Sequence, residues 1–210
     1  MSKYNFYVED VSVEAIFNKL GGVDGARRFL RDEITVSKTE ITWQQATQKA
    51  YELMGMSDTY SEFSNTKTFA DKEGLWTILM LKGLTCAKIA NALKQASSGF
   101  LSYCDSLDNE VRVNDRDPNR DDSYAIVVRS EVESDEENAN KSANQLAKEN
   151  HGGLTLMERL LLGLVYFLMT NKHLDIRTWT LCSGSRSVSG NVPCVNFNSV
   201  SGRVRVFSYH

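Results

Sequence analysis

Seven side chains of this chain are ready-made bases, nucleophiles or soft metal ligands: His151, His173 and His210, with Cys86, Cys104, Cys182 and Cys194. Their spacing supports none of those roles. The cysteines form no CxxC pair, and no Cys/His cluster has the intervals of a zinc site. Scattered single cysteines are expected to be reduced and half-buried, as in a cytoplasmic compartment. No serine sits in a GxSxG elbow. Gly21, Gly22 and Gly25 follow a helix pattern and not a strand, so the context of a dinucleotide-binding loop fails. Harder ligands occur at Asp115, Asp117, Asn119 and Asp121, which alternate as the oxygens of a calcium loop do. That register puts Arg120 where the turn needs glycine and Ile126 where a glutamate would close the shell. The stretch is therefore expected to be a solvated loop whose Asp and Asn side chains cap their own turns. His173 ends a strong helix pattern, where it is expected as a cap that complements the helix dipole. The sequence thus yields no acid–base pair, nucleophile, metal site or cofactor site, and it points to a binding protein, not an enzyme.

The elements that would position any site are mostly helical in the first part of the chain. Ser12 is a credible cap for a helix carrying Val13, Ile16, Phe17 and Leu20, which Gly21-Gly22 ends. Asp24 starts a second, with Ala26, Phe29 and Leu30 on one face, and Ile34 to Val36 look extended. Thr42 caps a third, lined by Trp43, Ala46, Ala50, Leu53 and Met54 and stopped by Gly55. Leu75 to Leu81 is continuously apolar and reads as strand or buried helix. Thr85 caps a helix with Ile89, Ala90 and Leu93. Its AKIANALKQ has a flavour of helix-turn-helix proteins, but basic residues are few and no recognition helix follows. An acidic loop spans Asp105 to Asp122. Within Ser123–Glu133 the run Ile126-Val127-Val128 is expected to be a strand buried on both faces. A short exposed helix is expected around Ala143 to Lys148, and Gly152-Gly153 reads as a hinge. Thr155 with Glu158 then forms a capping box for the strongest element, Leu156 to about Lys172, with its wide apolar face. Net charge is −3, which excludes a molecule built as a whole for nucleic acid or an anionic membrane. The N-terminus lacks the apolar core of a signal peptide, and the run near Leu160 to Met169 is too short to span a bilayer, so the expected location is cytoplasmic as encoded.

The last stretch is different. From Ser183 to His210 there is no Lys, Glu, Gln, Met or Trp, although those types fill 40 of the preceding 182 positions. Independent residues would leave such a gap on the order of once in a thousand windows. The segment alternates small polar residues with Val, Phe and Tyr between glycine breaks, the pattern of short strands. Val195 and Phe197 alternate with Cys194, Asn196 and Asn198, and Val204 and Val206 alternate with Arg205 and Phe207. One set can face a core and the other solvent.

With its SGSR, GNVP and GRVRV, the segment resembles the variable proteins of diversity-generating retroelements. DPNRDDSYAIVVR, SANQLA, LMERLLLGLVYFL and HLDIRTWTLCSGSR, which precede it, are similar to a group of uncharacterised bacterial proteins with such ends. The resemblance covers about the last 110 residues and implies an α+β chain: a C-type lectin-like domain over 85–210, with a short twisted antiparallel sheet packed on two helices. A mainly helical region over 1–84 precedes it. In that family a reverse transcriptase copies a template with errors at adenines and pastes the copy over the 3′ end of the gene. Codons of the form AAY can then reach fifteen residue types, and the five out of reach are Lys, Glu, Gln, Met and Trp. The resemblance further implies a display segment over 183–210 whose varied positions include Ser187, Val188, Ser189, Asn191, Cys194, Asn196, Asn198, Ser199, Arg205, Phe207, Ser208 and His210. The fixed framework would be Gly184, Arg186, Gly190, Val192, Pro193, Val195, Phe197, Gly202, Val204 and Val206. Three arginines and no carboxylate in the segment favour an acidic protein partner. Pro193 lacks the flanking carboxylate pattern of a sugar-binding calcium site, so carbohydrate recognition is not expected. Two other readings compete. An enzyme of the formylglycine-generating branch of the fold would need reactive cysteines, for which Cys182 and Cys194 are the local candidates. A nucleic-acid-associated regulator would use residues 85–98.

Overall fold

The computed structural model describes residue 17 and residues 20–33, 41–65, 74–96, 99–149 and 151–209. The chain divides into two units, Met1–Glu40 and Ile41–His210. In the first, helix α1 (Gly22–Leu30) starts after Gly21, whose φ of 87° suits a residue without a side chain. Phe29 and Leu30 on α1 are exposed. The Ser12 cap with Val13 and Ile16, and the extended stretch Ile34 to Val36, lie outside the described residues.

The second unit is organised around a long helix. Before it come α2 (Trp43–Leu53), α3 (Ser57–Ser64), β1 (Leu75–Met80), α4 (Cys86–Ala96), β2 (Phe100–Ser102), α5 (Leu107–Glu110), β3 (Val113–Asn114), β4 (Tyr124–Arg129) and α6 (Ala143–Lys148). The long helix is α7 (Leu156–Thr170), followed by β5 (Thr180–Leu181), β6 (Ser185–Arg186), β7 (Val192–Asn198) and β8 (Arg203–Tyr209). The capping box forms as its spacing requires: Glu158 N–H donates to Thr155 Oγ1, and Thr155 N–H donates to Glu158 Oε2 at 2.7 Å. A helix apolar on nearly every side must be enclosed. Leu156, Leu160, Leu161, Leu164 and Val165 are all buried, against α2, α4, β1 and β7. One core therefore runs from Ala46, Ala50 and Tyr51 of α2 through Ile89 and Leu93 of α4 to Val195 and Val206. The division expected at residue 84 falls inside this unit, because α2 packs directly on α7.

The strands form three small sheets among the described residues: β1 with β4, β3 with β6, and a four-stranded sheet in the order β2-β8-β7-β5. The fold is thus mixed α/β. The larger sheet is antiparallel apart from β2, which runs parallel to β8 at one edge. No helix among the described residues is long and apolar enough to cross a membrane.

Several local expectations are corrected. Val127 is exposed, because β1 and β4 form a two-stranded sheet that leaves one face open. The acidic loop contains α5, whose N-terminus is capped when Ser106 Oγ accepts from Asn109 N–H. The calcium-like alternation is a set of turn caps, as its departures from the calcium pattern imply: Asn119 N–H donates to Asp117 Oδ1 at 2.9 Å and Asp117 N–H to Asp121 Oδ2 at 3.0 Å. Asn119 also bonds Gly83 N–H and Leu84 O, tying the loop to the start of α4. Gly153 serves close approach: a Cβ there would lie 1.7 Å from Ser183 Oγ.

His173 does not act as a charged cap. Asn171, at a φ of 59°, ends α7, and the imidazole stacks on Phe167 and Phe197 with centroids 4.7 and 3.7 Å away. Burial, helped by the Arg159 charge, pulls its pKa down from 6.5 to about 4. A neutral ring stabilises the fold fully above pH 6.5, and that contribution drains away as pH falls from 6.5 towards 4. The expected loss is on the order of 1–2 kcal/mol, discounted for a half-enclosed ring. His173→Phe keeps the stack and removes the proton site. Urea unfolding across this range should therefore show a shallower acid loss in the variant; parallel losses in the two proteins would exclude His173 as the cause.

Candidate ligand-binding face

The terminal hairpin supplies a two-sided sheet. In the β7–β8 register Val195 lies opposite Val206 and Phe197 opposite Val204, and these four turn towards α7. The alternate pairs are Cys194 with Phe207, Asn196 with Arg205 and Asn198 with Arg203, so their side chains share the outer face. The edge strands extend that face. Leu181 of β5 lies beside Cys194, and Leu101 of β2 beside Arg205. Trp179, two residues before Leu181, reaches over the same surface with its ring 5.2 Å from that of Phe207.

The outer face has its own internal order. Arg205 Nε donates to Asn196 Oδ1 at 3.1 Å. Its guanidinium carbon lies 5.1 Å from the Trp179 ring centroid and 5.0 Å from that of Phe207, within cation–π range of both. Leu101 and Trp179 are 43% and 44% exposed, so the apolar part of the face meets solvent. Beside it opens a cleft of about 500 Å³ whose walls include Val127, Glu133, His151, Leu174 and Trp179.

Of the twelve expected positions, Cys194, Asn196, Asn198, Arg205 and Phe207 are brought together on this face. Val188, Ser189 and Asn191 form the turn at one end of β7, and Ser199 starts the turn at the other, about 20 Å away at strand rise. Val188, Ser189 and Ser199 are exposed. Ser208 lies opposite Pro193, on the side away from Arg205 and Phe207. His210 lies outside the described residues.

Three of the expected surface positions are buried. Ser187 is enclosed because its hydroxyl bonds Ser189 Oγ at 2.8 Å and accepts from Asn191 N–H, which makes it the brace of its turn. Cys194 and Asn196 point outward from a central strand, but their cross-strand partners are the much larger Phe207 and Arg205. Burial pushes the Cys194 thiol up, and the fully enclosed Cys182 thiol further up, so neither readily forms a thiolate.

Trp179, Leu101 and Arg203 were not singled out by the sequence. Arg203 follows from alternation with Arg205. Leu101 joins the face through a parallel pairing about a hundred residues away in sequence, for which the strand pattern carries no signal. Trp179 had a signal: it is the last residue in the chain of any of the five types missing from the terminal segment, and it immediately precedes a strand. No protein-family model, curated protein or solved structure matches this chain.

Proposed function

We propose that the chain is a display protein on a C-type lectin-like scaffold, which binds protein targets through the outer face of its terminal sheet, and that adenine-directed retrohoming diversifies this face. The carrying observation is the absence of Lys, Glu, Gln, Met and Trp from Ser183 to His210. Five of the positions open to change, Cys194, Asn196, Asn198, Arg205 and Phe207, share the side of the sheet that turns away from α7. Such an arrangement lets residue types change without disturbing Val195, Val204 and Val206, which hold the core.

A short sheet with a long helix against one face supports the lectin-like scaffold. The raised pKa values of the buried Cys182 and Cys194 thiols favour binding over the thiol chemistry of the formylglycine-generating branch. Partner chemistry follows from charge: Arg186, Arg203 and Arg205 with no carboxylate in the segment suit an acidic protein surface. The test is genomic. The proposal expects a near-repeat of the gene's 3′ end beside a reverse transcriptase gene, and it fails if the gene's surroundings hold neither.

A further inference from the structure

Arg205 is held in an unusual way for a surface arginine. Its Nε is committed to Asn196 Oδ1. Its guanidinium carbon and the rings of Trp179 and Phe207 form a triangle with sides of 5.0 to 5.2 Å. Among the described residues no carboxylate pairs with it, and neither Nη group donates to a protein acceptor. A long side chain normally surrenders rotamer freedom when it binds. Here packing and one hydrogen bond have already restricted it. What remains is the outward edge of the guanidinium, with unspent N–H donors in the geometry that matches a carboxylate in bidentate fashion. The surroundings add to this. Arg203 lies two residues away on the same face, and Trp179 and Leu101 supply partly exposed apolar surface around the charge. An arginine set among aromatic rings, with apolar contacts that exclude water around it, is the usual composition of an interface hot spot.

From this geometry we infer that Trp179, Arg205 and Phe207 form a receptor for a single Asp or Glu side chain of an acidic protein ligand, with Asn196 as the positioning residue. The inference rests on the display reading and adds a division of labour. Trp179 lies before the diversified segment and is of a type that AAY-derived codons do not reach, so it is the constant anchor. Arg205 and Phe207 lie within the segment and are the parts that change between variants.

The experiment uses the full chain, immobilised and panned against a random-peptide phage library. Enriched peptides should share an Asp or Glu, and their binding to Arg205→Ala and Arg205→Gln should be about ten- to a hundredfold weaker. Trp179→Ala should weaken the same peptides about tenfold. Arg205→Glu should enrich Lys- or Arg-containing peptides in place of acidic ones. Unchanged thermal unfolding of the Arg205 variants separates lost contacts from lost fold. The inference is overturned if no acidic residue is enriched, or if acidic peptides bind Arg205→Ala as tightly as the parent. Enriched peptides whose binding depends on Val188 and Ser189 instead would overturn this receptor and leave the display reading standing. A missing template repeat would remove the display reading whatever Arg205 binds.

Discussion

Asp175→Ala is expected to cost about 3–5 kcal/mol of unfolding free energy, the range seen when one partner of a buried ion pair is removed. The Arg159 and Asp175 side chains are 4% and 2% exposed, with Nη2 2.7 Å and Nε 3.1 Å from Asp175 Oδ2. Thr180 donates to the same carboxylate oxygen, and Thr178 Oγ1 donates to Oδ1 at 3.3 Å. Taking the carboxylate away leaves a guanidinium in the core whose only other side-chain acceptor among the described residues is Thr180 Oγ1, 3.0 Å from its Nε. Asp175 also holds a φ of 54°, which Asp tolerates better than Ala. Its backbone joins two parts of the unit, since its N–H donates to Val132 O and its carbonyl accepts from Phe197 N–H. Asp175→Asn keeps the shape and still strands the charge, so its loss should remain above about 2 kcal/mol. Adding Arg159→Leu should recover part of it. Urea unfolding measures each change, and a loss under about 1 kcal/mol for Asp175→Ala would mean that the pair is solvated.

The second large effect is expected at Glu158, which is 0% exposed at the first turn of α7. Its carboxylate accepts from Arg116 Nε at 2.8 Å and Nη2 at 2.9 Å, from Tyr124 Oη at 2.9 Å and from Thr155 N–H. One side chain thus completes a helix cap, satisfies a phenol and anchors the loop that carries Arg116. Burial and the Glu158 charge together push the Tyr124 phenol well up, so it stays a hydrogen-bond donor. Glu158→Ala should cost about 3–4 kcal/mol. Arg116→Met should be nearly as harmful, because it leaves the buried carboxylate facing fewer donors. The double variant Glu158→Gln with Arg116→Met should lose clearly less than the sum, a coupling of about 2 kcal/mol or more in a double-mutant cycle. Simple additivity would show that the two side chains act independently.

Of the two pairs, only the Glu158 site was partly visible in the sequence; the Arg159–Asp175 pair was hidden, its partners being 16 residues apart, one on α7 and the other in the segment after it. The capping box announced Glu158 as a local partner of Thr155, and the helix that follows ends at Thr170, close to the expected Lys172. Nothing local announced Arg116, which is 42 residues away. The same division holds for the face. Alternation was enough to sort Val195, Phe197, Val204 and Val206 from Cys194, Asn196, Arg205 and Phe207, because a strand's period is a property of the strand. Burial on the outer face is a property of pairs: Cys194 and Asn196 are covered because Phe207 and Arg205 stand opposite them. The residues Phe100 to Tyr103 are expected as a strand and β2 forms there, but a strand of three residues, like β5 with two, does not name its partner, and so Leu101 and Trp179 entered the face unannounced. Val127 was misplaced for the related reason that an apolar run does not say how many sheets cover it.

The central claim is that the outer face of the β7–β8 hairpin is the part of this chain made to change. Its most direct measurement is an alignment of the gene's 3′ end with the sequence around it. The account predicts a near-repeat of the last ~100 bases beside a reverse transcriptase gene, with differences at adenines of the repeat. Those differences should fall in the codons for Cys194, Asn196, Asn198, Arg205 and Phe207 and for the exposed turn residues Val188, Ser189 and Ser199. The codons for Val195, Val204 and Val206 should match. The absence of a repeat, or differences spread evenly over core-facing and outward-facing codons, would contradict it.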